Sequence, residues 1–119
     1  MKPVARIIRI ILAMSVALRG ADYRKLIIGK WELVEPRDPA VRLIVNFTDG
    51  ENAISRDFEP NGRPIHTRAY RYAIDGNRLI MTEKGTDKAG SVEIVLLTEK
   101  EFSYREGNDT IKFTKIIDE

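Results

Sequence analysis

His66, Arg68, Tyr70 and Tyr72 stand at alternate positions in the run Ile65 to Ile74. In an extended strand alternate side chains share a face, so these four and Ile74 point the same way. If the tyrosines and Ile74 face a core, His66 and Arg68 face it too. The same alternation puts Arg56 on the side of Ile54 and Phe58. Buried cations are costly unless paired, so two inward arginines require an acidic partner, water or an anionic ligand. Guanidinium forks can hold such an anionic group bidentately and a phenol adds a further donor. Arg56, His66, Arg68, Tyr70 and Tyr72 are therefore the candidate ligand-binding residues. The alternative is that these strands bend into solvent and pair their cations with Glu51, Asp57 or Glu93.

Other chemistries find less support. His66 is the only histidine and there is no cysteine, so no transition-metal site, thiolate nucleophile or disulfide framework is expected. Ser55, Ser91 and Ser103 lie in strand contexts without a nucleophile-elbow pattern. Asp49, Asp75 and Asp109 read as turn residues, since none has the ligand spacing of a calcium loop. No metal, cofactor or catalytic residue is predicted, and the chain reads as a binding protein and not an enzyme.

At 119 residues, 43% hydrophobic and 32% charged, the chain has the length of one domain and the composition of a soluble, globular one. Its formal charge is +2, but Lys2, Arg6, Arg9 and Arg19 all fall in the first 21 residues, leaving 16 basic against 18 acidic residues beyond them. With no clustered cations in the remainder, nucleic-acid binding is not expected.

Residues 1–21 differ from all that follows. A basic start leads into nine uncharged residues, Ile10 to Leu18, the order of a secretory leader and about half the ~20 residues needed to span a bilayer. The alternative is an amphipathic helix docked on the domain or on a membrane surface. The expected division is a leader or N-terminal helix over 1–21 and a folded domain over 22–119. Export or a cell-envelope location follows from the leader reading, with membrane contact only through residues 1–21.

The elements that must hold strand four begin at Ile27-Ile28-Gly29-Lys30-Trp31-Glu32-Leu33-Val34-Glu35, which carries the only tryptophan. Odd positions from Ile27 to Leu33 are apolar or glycine, and Trp31 is predicted to point inward. Asp22 could cap a short helical turn before it. Turn residues then recur at Pro36 to Pro39, Asp49-Gly50, Pro60 to Pro64, Asp75 to Asn77, Lys84 to Gly90, Thr98 to Lys100 and Gly107 to Asp109. They delimit strands at 27–35, 41–48, 52–58, 65–74, 78–83, 91–97, 101–106 and 110–117. Val41, Leu43, Val45 and Phe47 share a face, as do Val92, Ile94 and Leu96. Short breaks suit antiparallel hairpins. The predicted fold is all-β, an eight-stranded up-and-down antiparallel meander that closes into a barrel and so removes its edges.

Gly29-Lys30-Trp31 after a short helical turn, the Phe47-Thr48-Asp49-Gly50 hairpin and the Tyr72 to Leu79 hairpin resemble the small bacterial lipocalin-like (calycin) domains, over residues 26 to 117. The resemblance implies that Gly29 and Trp31 form the structural motif and that a basic side chain packs across the indole. Lys115, with the parity of Ile111 and Phe113, matches that role. It also implies a small hydrophobic or carboxylate ligand, bound without catalysis. The alternative is a filled barrel acting on a protein partner through the Pro36 to Pro39 and Pro60 to Pro64 loops, as an envelope accessory or inhibitor protein.

Overall fold

The strand around Trp31 is β1 (Gly29–Glu35), followed by β2 (Arg42–Phe47), β3 (Asn52–Phe58) and β4 (Pro64–Asp75). Then come β5 (Arg78–Glu83), β6 (Ala89–Leu97), β7 (Glu101–Glu106) and β8 (Asp109–Ile116). A computed structural model describes residues 23–86 and 88–117. The expectations for residues 1–21, and for Asp22 as a cap, lie outside them. Each strand pairs antiparallel with the next and β8 returns to β1, giving a closed eight-stranded barrel. Trp31 lies opposite Val45 on one side and Lys115 on the other.

Strand boundaries follow local chemistry. The turns Gly76-Asn77 and Gly107-Asn108 each put glycine first with φ of 61°, the backbone that a two-residue hairpin loop needs to match strand twist. Ile27 was expected at the head of the first strand. It lies instead just past the helical turn at 23–26, and its amide donates to the Tyr23 carbonyl at 3.0 Å. On the outer face Arg42 donates two bonds to Glu32, at 2.7 and 2.9 Å, tying β1 to β2.

Two expectations about facing are corrected. In β6 the register shifts between Ile94 and Leu96, so Leu97, and not Leu96, turns inward: Leu97 is 6% exposed and Leu96 40%. A bulge inserts one residue and so flips every side chain after it. In β3 the inward residues are Ala53 and Ser55, opposite Phe47 and Val45. Ile54 and Arg56 therefore face outward.

The hairpin loops β2–β3, β4–β5 and β6–β7 gather at one end with the 23–26 turn. There the core is tight: Ile27 and Trp31 are fully buried and Phe102 nearly so. The other end, where β5 stops at Glu83 while β4 runs back to Pro64, is open.

Candidate functional site

The closed end is a set of interlocking contacts around Trp31. Its indole Nε1 donates to the Ile27 carbonyl at 2.8 Å, and its ring meets Phe102 edge-on at 5.7 Å. Gly29, at φ +132°, leaves room for Lys115, whose Nζ sits 5.1 Å from the indole centroid and donates to the Ile28 carbonyl at 2.8 Å. A cation over an indole contributes about 0.5–2 kcal/mol. Tyr72 belongs to this end as well. Its hydroxyl donates to the Thr48 carbonyl at 2.6 Å and its ring meets Phe47 edge-on at 5.0 Å. Burial, then Glu51 and Asp49, pushes the Tyr72 phenol above its ordinary range.

Above this floor the barrel holds a cavity of about 530 Å³, open at the mouth. Phe47, Phe102 and Phe113 face it from below, and Leu43, Met81 and Val92 line its walls. Polar atoms enter at Ser55, Tyr70 and Tyr104, with Glu83, Lys88 and Glu106 also contributing. Apolar walls with a few placed polar groups, at this volume, are the ordinary build of a small-molecule site. Tyr104 stacks on Phe113 at 5.9 Å, and its phenol is pushed up to about 12 by burial and by Glu106. It is thus protonated at neutral pH, a hydrogen-bond donor beside an apolar space.

Gly90 has the inward parity of Val92 and lines the cavity, and a Cβ built on it meets nothing within 4 Å. A glycine here leaves open a space that any other side chain would enter.

Beside the mouth runs a second concavity, a groove of about 490 Å³ between the upper half of β4 and the β5–β6 loop. His66, Arg68, Lys84 and Lys88 line it together with Glu83. Glu83 and Lys88 border both spaces.

Of the five predicted ligand residues, only Tyr70 lines the cavity. Arg56 is corrected to the outer face, opposite Ile44 and Thr67, because small side chains and not Ile54 and Phe58 fill the inner face of β3. Tyr72 is corrected to the closed end, with its hydroxyl committed to Thr48. His66 and Arg68 do share the face of Tyr70, but they lie where β5 has already ended. They are exposed in the groove instead of buried in the barrel. Sequence reasoning missed Tyr104, Lys88 and Gly90. The alternation of Phe102, Tyr104 and Glu106 was a readable signal for the first. The other two sit in a stretch whose glycine and charge look like a loop. Among the described residues no three histidine, aspartate or glutamate side chains gather as a metal site.

Among solved structures, this architecture matches a lipocalin-like protein from Bacteroides uniformis, 12% identical, with a TM-score of 0.62 over 76% of this chain and 98% of that one. The barrel is lipocalin-like. An uncharacterized protein from Bacteroides eggerthii, also 12% identical, matches with a TM-score of 0.63 over 76% of this chain and 99% of that one. No protein-family model and no curated protein matches the sequence. At such identity the likeness concerns the fold, so a function for this lipocalin-like chain has to be argued from its own cavity.

Proposed function

We propose that this lipocalin-like domain binds, without chemically changing it, a small amphipathic molecule with an apolar body and a carboxylate end. The observation that carries the reading is the open cavity of about 530 Å³, apolar below and polar at its mouth. An apolar body lies against Phe102, Phe113 and Val92. The carboxylate sits at the mouth, where the phenols of Tyr70 and Tyr104 donate and the Lys88 ammonium attracts. Glu106 opposes an anion and directs the charged end towards Lys88, while Glu83, whose amide donates to the Lys88 carbonyl at 3.0 Å, lessens that pull. Each apolar carbon removed from water contributes about 0.8 kcal/mol, so the body supplies most of the affinity and the mouth the orientation. The hollow interior favours this reading over a filled barrel acting through its loops.

Titration with a fluorescent fatty-acid analogue tests it. Saturable binding is expected, with displacement by unlabelled fatty acid and weaker displacement by the corresponding alcohol. Lys88→Glu lowers affinity for the acid more than for the alcohol. Absence of saturable binding to either would sink the proposal, and equal binding of both would remove the carboxylate.

A further inference from the structure

The groove beside the mouth has a feature that a small-molecule site does not need: an unpaired length of strand. β4 runs from Pro64 to Asp75, but its pairing with β5 ends at Tyr70 opposite Glu83. The last bond across that seam runs from the Lys84 amide to the Ala69 carbonyl, at 2.9 Å. Backbone groups alternate sides along a strand. The Tyr72 amide points to the β3 side, bonding the Glu51 carbonyl at 2.9 Å. Thr67, two residues from Ala69, therefore turns its N–H and C=O away from β3 and into the groove. Such an edge is a template for one more strand.

The charges around it select the occupant. Among the described residues that line the groove, His66, Arg68, Lys84 and Lys88 stand with a single carboxylate, Glu83. Among the described residues no ion pair involves Arg68, Lys84 or Lys88. A second copy presenting the same edge would bring like charges together, and Pro64 with the bulge opposite Asp57 and Phe58 stops such pairing at one end. Side chains of an added strand would point alternately toward Arg68 and Lys88 and away from them. We propose that the groove docks a short extended segment of a partner protein that carries acidic residues at every second position. The segment adds to the free edge of β4 through Thr67, and its carboxylates meet Arg68, Lys84 and Lys88. This does not depend on the cavity being filled.

The test uses a labelled pentapeptide alternating glutamate and valine, followed by fluorescence anisotropy on the full chain. Saturable binding is expected, weakened about tenfold or more by Arg68→Glu. Thr67→Pro, which removes only an unpaired N–H, is expected to weaken it comparably. Lys112→Glu, on β8, leaves it unchanged, and binding persists in Gly90→Leu, whose cavity is blocked. Slowed exchange of the Thr67 amide on adding peptide checks the docking mode without any substitution. A peptide with its glutamates in one block binding equally well, or Thr67→Pro binding as wild type, would reduce the effect to diffuse charge and overturn the proposal. So would a peptide-free dimer that dissociates on Thr67→Pro.

Discussion

A methyl group on Gly29 would stand 2.7 Å from the Cε of Lys115, on a backbone with φ of +132°. Two costs therefore act together in Gly29→Ala: strain of the backbone and displacement of the cation from the Trp31 face. The expected destabilisation is about 1–3 kcal/mol, read from chemical denaturation. Lys115→Ala alone, which removes the Cε as well as the cation, should cost at least about 0.5–2 kcal/mol. In the double variant the clash is gone but the strain remains, so the two losses should not add. Full additivity would show that Lys115 and Gly29 do not share a contact.

Tyr104 offers a second residue-scale prediction. Its phenol is raised to about 12 by burial and then by Glu106, so the folded state holds this proton more tightly than the unfolded chain, where a tyrosine titrates near 10. The stabilisation is fully present below about pH 10 and is lost as pH rises towards 12. Spectrophotometric titration should find a phenol ionising well above the ordinary range that disappears in Tyr104→Phe. Denaturation of that variant should show a shallower loss of stability between those pH values. Equal slopes would remove the buried phenol.

At the scale of elements, apolar alternation and turn residues gave strands 52–58, 78–83 and 101–106 with the bounds observed for β3, β5 and β7. Those signals are local, written in residue type and spacing. What they could not contain is register. A bulge at Val95 changes no residue type yet moves Leu96 out and Leu97 in. The inner face of β3 was misread because Ala53 and Ser55 are small, and a barrel crowded by Phe47 needs small neighbours there. Arg56 followed Ile54 into the wrong face for that reason. Leu97→Ala should cost about 2–5 kcal/mol as a cavity-forming change, whereas Leu96→Ala should stay within about 0.5 kcal/mol. Thermal or urea denaturation distinguishes the two. The reverse order would place the bulge elsewhere.

The whole barrel has one end sealed and the other open, a polarity set by strand lengths. β5 stops at Glu83 while β4 continues for six residues beyond Tyr70 to Pro64, so the mouth lies where one wall is missing. This separates His66 and Arg68 from the cavity despite their parity with Tyr70. Parity states which way a side chain points and not how far along the barrel it stands, and only the Cα partners of β5 supply that. The width of the mouth depends in turn on a residue with no side chain. Gly90 faces inward on β6 where a Cβ meets nothing within 4 Å, and its backbone is outside the left-handed region. Gly90 is exposed at the rim, so leucine there reaches over the opening without backbone strain and buries only part of its apolar surface. Gly90→Leu should therefore keep or raise the melting temperature while lowering affinity for a fluorescent fatty-acid analogue by tenfold or more. A site elsewhere on the surface would leave affinity unchanged, and a filled barrel would make the variant less stable. Stability rising as binding falls is the one combination that requires the open space to be the binding site.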